Sequence, residues 1–477
     1  MPRRVILFEL NEVPWEILDD FVASDPRSGL ARVLRRSQCF TTIAADRGHL
    51  SPWTTWPTLH RGVNDEKHMI AAFGQSRKRA DRRFPPLWTL LHEAGVSVGV
   101  CGNLHTYPPP EDLSSYAFWL PDAFASEPVA HPPELVDFQR FNLAMSRESA
   151  RNVDRRIAKS DALRVLGHSR RLGLRPSTYA AVAGQLLAEQ RSSSRSNRRR
   201  TIQAVLQFDV FERQLARSRA QFATFFTNNV ASAMHRYWAA HRPGDYEQLG
   251  LGQDWVETFS GEVMWATGQA ARMIERLAAR VDDDPDAQLW IAASMGQRAT
   301  MAEKLETQLY LTEPDRFVEA LGLPGPAAWQ RRPAMLPQFN LVVEDEYVDT
   351  FRDALRTVEV GGAPLVFKRS AGGFFSLDFG QPNLHDRADA VRIAGAPRPL
   401  AAVGIEAVEI EDRSGTTAYH VPEGVLAVYD PRRPAPESDD RPEVSVLEVA
   451  PAILEVFGVT PPPHMVRPDV LAGLLPA

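Results

Sequence analysis

Val5-Ile-Leu-Phe-Glu-Leu-Asn-Glu-Val13 is the stretch on which the fold turns. It opens as a short apolar run behind a basic flank, Arg3-Arg4. Such a run reads as the buried first strand of a parallel sheet. Glu9 and Asn11 break the run too early for a signal-peptide core. The same rhythm returns downstream. Phe84-Pro-Pro-Leu-Trp-Thr-Leu-Leu-His-Glu-Ala-Gly95 reads as a helix with prolines at its start and glycine at its end. Val96 to Val100 follows as a strand, and Ala223 to Thr227 and Leu289 to Ala293 read as two more buried strands. Strands alternating with helices predict an α/β fold, a mainly parallel sheet sandwiched by helices.

Two regions break the rhythm. Residues 126–217 are Arg-rich and helix-periodic, and 301–414 mix helical and strand patterns. They predict a helical insertion and a mixed α+β insertion in one core made of 1–125, 218–300 and 415–477. Pro431 to Pro442 reads as a surface loop. The strongest charge run is Arg191-Ser-Ser-Ser-Arg-Ser-Asn-Arg-Arg-Arg200. Its plain reading is a solvated loop between helices. Its sharper reading is a patch for phosphate groups, nucleic acid or anionic lipid. It lacks the interleaved aromatics of a base-stacking surface.

Composition bounds the function classes. The chain has 477 residues, 44% hydrophobic and 24% charged, which excludes disorder, collagen and coiled coil as global descriptions. The formal net charge of −6 argues against nucleic acid as a partner. Cys39 and Cys101 allow at most one disulfide, so this is no disulfide scaffold and fits a reducing compartment. With no run of about 18 apolar residues, no membrane span is expected. The expectation is a cytoplasmic protein.

Five segments, in order, resemble the alkaline phosphatase superfamily, closest to its type I phosphodiesterase/nucleotide pyrophosphatase and phosphohydrolase/phosphomutase branch. The first is Val5 to Val13, where that family has a strand ending in an Asp metal ligand. The second is Ser51-Pro-Trp-Thr-Thr-Trp-Pro-Thr-Leu-His-Arg-Gly-Val-Asn-Asp-Glu-Lys-His68, similar to the family's nucleophile segment. The third, Phe225-Phe-Thr-Asn-Asn-Val-Ala-Ser-Ala-Met-His-Arg-Tyr-Trp238, resembles a strand followed by an Asp-x-x-x-His ligand pair. Leu289-Trp-Ile-Ala-Ala-Ser-Met-Gly296 stands where the family has Ser-Asp-His-Gly, and Tyr419-His-Val-Pro-Glu-Gly-Val-Leu-Ala-Val428 is similar to a ligand His before an apolar strand. Val446 to Gly458 resembles the family's closing helix. The resemblance implies the sheet core and a phosphoric-ester chemistry, and does not cover the insertions.

The chemistry departs from the pattern. The resemblance implies two metals that polarise a phosphoryl oxygen and ionise the nucleophile. Here the first Asp position is Asn11, the Asp of Asp-x-x-x-His is Ala231, and the Asp-His ligand positions fall on Ser294 and Met295. His235 and His420 remain, and both belong to one metal site. A full two-metal centre is therefore not expected. One divalent metal, zinc or manganese, on His235 and His420 completed by Glu12 or Glu9 is the reduced version; hydrogen-bonded remnants in a polar cleft are the alternative. Ser51-Pro52 has the form of a helix cap with proline at the first helical position, a place that suits a phosphate. Ser51 is the candidate nucleophile, with Thr54 and Thr55 as fallbacks. Arg61 and Arg298 are candidate charge stabilisers. Asn11, Glu12, Asn229, Ser294 and Gln297 are candidate ligand-binding residues. His68 matches a family His that is mostly structural.

Two functions follow from the resemblance. One is a phosphoric-ester hydrolase or phosphoryl-transfer enzyme with a reduced or rebuilt metal site. The other is a pseudoenzyme that binds a small phosphorylated or sugar-like ligand, or a protein partner.

Overall fold

The computed structural model describes residues 3–148, 171–300, 306–334, 337–380, 383–384, 390–410 and 415–474. Parts of both predicted insertions, 149–170, 301–305 and 411–414 among them, lie outside the described residues.

Seven strands carry labels here: β1 (Arg4–Leu10), β2 (Ser37–Ile43), β3 (Val98–Cys101), β4 (Phe118–Leu120), β5 (Phe222–Thr227), β6 (Ala287–Ala292) and β7 (Gly296–Ala299). Eight strands form the central sheet, in the order Glu443–Ser445, β2, Glu423–Tyr429, β6, β1, β5, β3, β4. β1 lies at its centre, parallel to β5 and β6. Only Glu423–Tyr429 runs antiparallel to its neighbours. The expected mainly parallel sheet flanked by helices is what is found.

The period-2 alternation of β1 explains its central place. Ile6, Phe8 and Leu10 enter the core on one face of the sheet, and Val5 and Leu7 enter the core on the other. A strand apolar on both faces must be covered on both by helices. Full burial of a side chain such as Phe8 is worth about 2–3 kcal/mol. β2 escapes the sequence reading, because Ser-Gln-Cys-Phe-Thr-Thr-Ile is only half apolar.

The helix Pro52–Arg61 begins with proline at its first position and ends at Gly62, whose φ of 60° closes the helix. Pro57, inside it, has no N–H for the carbonyl of Trp53. His105 Nε2–H donates to that carbonyl instead, at 2.8 Å.

The segment 307–410 has a core of its own, with Phe317, Phe339, Phe351 and Phe375 at its centre. Its outer strands, Thr307–Leu311 and Ile405–Glu409, pair antiparallel. Before and after it, β7 pairs antiparallel with Ala418–Val421. The segment 307–410 is thus flanked in sequence by the two strands of one antiparallel ribbon. Cys39 and Cys101 are both free. Among the described residues no helix is long and apolar enough to cross a membrane.

Candidate metal centre

The candidate centre lies beyond the C-terminal ends of β1 and β5, where open α/β sheets place their ligands. Glu12 follows β1 with a φ of 57°. A left-handed conformation costs a side chain with a Cβ about 1–2 kcal/mol. That backbone turn sets Glu12 off the face shared by Glu9 and Asn11. Its Oε2 meets His235 Nε2 at 2.8 Å and His420 Nε2 at 3.2 Å. The two imidazole centroids are 5.3 Å apart.

Each ring is aimed by its other nitrogen. His235 Nδ1 faces the Ala418 carbonyl at 2.7 Å, and His420 Nδ1 faces the Leu50 carbonyl at 2.7 Å. A carbonyl only accepts, so both Nδ1 atoms carry hydrogen and both Nε2 atoms turn to Glu12. His235 comes from the helix Asn229–His241 and His420 from the strand Ala418–Val421. Thr417 N donates to the His235 carbonyl, which fixes helix and strand together.

Glu12 is held by amides. Asn11 Nδ2 donates to Glu12 Oε1 at 2.8 Å and to Asn228 Oδ1 at 2.7 Å. Asn11 Oδ1 accepts from Trp56 Nε1 at 2.7 Å. Gln297 Nε2 donates to Glu12 Oε2 at 2.5 Å. An aspartate at position 11 has no N–H to offer its neighbour, so the amide there goes with a carboxylate moved on by one residue. Burial works to raise the Glu12 pKa, but the two imidazoles win and hold it well below the usual carboxylate range. Burial works against charge on His420 as well, and Glu12 overrides it to raise the His420 pKa.

The donor set fits one divalent ion. Glu12, His235 and His420 are the one group of three such side chains within ligand reach among the described residues. Two imidazoles and a carboxylate with a fourth position open is a catalytic zinc pattern. A tetrahedral ion with 2.0–2.1 Å bonds needs ligand atoms about 3.4 Å apart. The present 2.8 and 3.2 Å are slightly tighter than that, and all three ligand atoms lie within 4.8 Å of one another. Gln297 Oε1 is buried here without a partner, a polar atom that a bound group or its water would satisfy.

Other sequence candidates fall elsewhere. Glu9 is not the completing carboxylate: it accepts from His60 Nε2 at 2.7 Å and Thr224 Oγ1 at 2.9 Å, inside the core. Arg61 is buried and donates to the Phe84 carbonyl and, at 2.6 Å, to Asp81. It ties its own helix to the helix Lys78–Arg83 rather than facing the centre. Arg298 is exposed, and alternation on β7 puts it on the face opposite Gln297. Asn229 is spent on Thr227 and the Ala266 carbonyl; its neighbour Asn228 is the one that reaches Asn11.

Thr55 Oγ1 and Ser294 Oγ form a buried pair at 2.8 Å, so the structure brings these two candidates to each other. Met295 and Thr54 are buried. Ser51 is half-buried, and its hydroxyl does not cap its helix. It adjoins Leu50, the residue that aims His420. Sequence reasoning missed Tyr419 and His49. The Tyr419 ring stacks on His420 at 4.3 Å, is 40% exposed, and its hydroxyl meets His49 Nε2 at 3.1 Å. Tyr419's place next to a candidate ligand was the available signal.

No family model matches the chain, and no curated protein sequence matches it. Among solved structures, it is similar to human ectonucleotide pyrophosphatase/phosphodiesterase 5. The identity is 10%, 100% of each chain is covered, and the TM-score is 0.45. It is similar to a mutant of the alkaline phosphatase PafA at 12% identity, covering 98% of this chain and 99% of that one, with a TM-score of 0.48. It is also similar to Thermus thermophilus alkaline phosphatase at 14% identity, covering 96% and 91%, with a TM-score of 0.40.

Proposed function

We propose that this protein is a phosphoric-ester hydrolase or phosphoryl-transfer enzyme working with one zinc or manganese ion on Glu12, His235 and His420. The observation that carries the reading is the aim of the two imidazoles. Each Nδ1–H is fixed on a backbone carbonyl, which turns both Nε2 atoms to one carboxylate oxygen. Such outer hydrogen bonds fix the tautomer that a metal requires. When bound, the ion polarises a phosphoryl oxygen and lowers the pKa of a coordinated hydroxyl or water.

The chain's own groups supply the rest. Asn11 and Gln297 hold the Glu12 carboxylate in place. Ser51, half-buried at a helix start and not engaged as its cap, is the nucleophile we assign. One observation favours the ligand-binding pseudoenzyme instead. At the second metal position of the resemblance stand a closed hydroxyl pair, Thr55 and Ser294, and buried Met295.

Elemental mass spectrometry of the purified protein tests the centre. About one zinc or manganese per chain is expected, lost in Glu12→Gln and in the His235→Ala/His420→Ala double variant. Hydrolysis of aryl phosphomonoesters and diesters is expected to fall by orders of magnitude in Ser51→Ala with the metal retained. Absence of metal from the native protein after loading with either ion sinks the proposal. Metal binding without turnover of any ester moves the protein to the pseudoenzyme reading.

A further inference from the structure

The arginine run 191–200 is not a solvated loop. Ser193–Arg198 form a 3-10 turn, and Arg198 and Arg199 pair with Glu262 and Glu189, each at 2.7 Å. Carboxylates also organise a true loop, and that one borders the candidate metal centre.

Residues 44–51 join β2 to the helix Pro52–Arg61 without regular structure. Three of them bear on the centre. The Leu50 carbonyl aims His420, His49 Nε2 meets the Tyr419 hydroxyl at 3.1 Å, and Ser51 is the nucleophile assigned above. The path of this loop therefore sets the His420 ring. His235 has no such dependence. Its carbonyl partner is Ala418, and Thr417 N ties that strand to the helix of His235 itself.

The loop is held at its ends by backbone bonds. Ala44 N donates to the Pro422 carbonyl at 2.9 Å, and the Ser51 carbonyl accepts from Thr54 N and Thr55 N. Among the described residues, 45–50 make no backbone–backbone hydrogen bond. Two aspartates hold them instead, each clasping the other's stretch of chain. Asp65 N donates to Asp46 Oδ1 at 3.1 Å, and Arg47 N and Gly48 N donate to the two Asp65 carboxylate oxygens at 3.1 Å each. Asp46 Oδ1 also accepts from Thr58 Oγ1 at 2.5 Å. The clasp thus ties the loop to the helix Asp65–His68 and to the helix Pro52–Arg61. Gly48 permits the close approach: a Cβ there would lie 2.9 Å from Asp65 Oδ2.

A peptide group turns about the two soft dihedrals that flank it. The Leu50 carbonyl is steadied on one side by the helix start at Ser51. On the other it is steadied by the clasp and by the exposed His49–Tyr419 contact. We propose that Asp46 is a positioning residue of the candidate metal centre: its carboxyl fixes the loop whose Leu50 carbonyl orients His420. The proposal deepens the metal-centre reading and rests on it. The partners of Asp46 are Thr58 and Asp65, so its effect on His420 passes through the loop.

The test has two readouts, both on the full chain. The first is the imidazole N–H signals of protein labelled with ring-15N histidine, freed of metal with a chelator, near neutral pH. A hydrogen held on a carbonyl exchanges slowly, so His235 and His420 each give an Nδ1–H signal, assigned with His235→Ala and His420→Ala. Asp46→Ala is expected to lose the His420 signal and keep the His235 signal. The second readout is zinc affinity by competition titration. It is expected to fall about tenfold in Asp46→Ala, the low end for a lost outer hydrogen bond. Asp46→Asn keeps the accepting oxygen and is expected to restore both. Asp65→Ala releases the same loop from the other side and is expected to give the same pattern, which covers an Asp46→Ala protein that fails to fold. Arg61→Leu, destabilised in the neighbouring helix, is expected to change neither readout. A native His420 signal in the folded aspartate-to-alanine variants overturns the proposal. So does an equal loss in Arg61→Leu, or a failure of Asp46→Asn to restore the signal. If the native protein takes up no zinc, the metal reading fails on its own, and the His420 signal still decides the clasp.

Discussion

At the scale of single residues, Asn11 and Glu12 trade places with respect to charge. Asn11 donates to Glu12 and Asn228 and accepts from Trp56, so its side chain is fully used. Asn11→Asp puts two buried carboxylates side by side in the metal-free protein. The new group's pKa rises, so the penalty grows with pH; a loss of about 3 kcal/mol is expected near pH 8, shrinking below pH 5. Urea melts of chelated protein at both pH values check it. Asn11→Ala frees Glu12 Oε1 and is expected to weaken zinc binding about 10- to 100-fold in a competition titration. Arg61 gives the contrasting case. Arg61→Leu is expected to cost about 2–4 kcal/mol of stability while zinc stoichiometry stays at the native value, because its partners are Asp81 and a backbone carbonyl. A loss of metal in a folded Arg61→Leu protein would return this arginine to the site.

At the scale of elements, the helix Pro52–Arg61 is anchored by a polar chain. His68 Nδ1 accepts from Ile70 N, so its Nε2–H donates to Thr58, and Thr58 donates to Asp46. Burial pushes the His68 pKa down to about 3 and the Asp46 pKa up to about 6. The signs are opposite. A lowered His68 means that charging it opposes folding, so stability is lost as pH falls below about 6.5. A raised Asp46 means that the folded state binds its proton more tightly, so stability is lost as pH rises from about 4 to about 6. Asp46→Asn is expected to remove the second slope and gain about 1–2 kcal/mol on wild type between pH 4 and pH 7. Denaturant melts across that range read it directly. A constant difference between the two proteins would show that Asp46 does not titrate there.

At the scale of the whole molecule, 307–410 is flanked in sequence by the two strands of one ribbon and packs around its own phenylalanines. Phe351 and Phe375 meet edge to face, 5.2 Å apart. Phe375→Ala is expected to cost about 3–5 kcal/mol, read in calorimetry as the earlier melting of one part, with metal stoichiometry unchanged. A single transition shifted as a unit would mean that insertion and core unfold together. The ribbon also has a direct bearing on the centre, since its register sets His420 opposite Gln297.

The sequence by itself determined the strands β1, β3, β5 and β6, because a strand buried on both faces must be continuously apolar and that pattern is local. It also marked His235, His420 and Glu12, because resemblance and strand-end position point to them. It left Glu9 and Glu12 as alternatives, and it took Arg61, Arg298 and Asn229 for cleft residues. Only the tertiary structure decided these. Which carboxylate meets two imidazoles depends on a left-handed turn at Glu12, a helix some 220 residues on and a strand beyond an insertion. Whether an arginine is buried against a carbonyl or faces a cleft depends on contacts between segments far apart in the chain. No local pattern of residues carries that information.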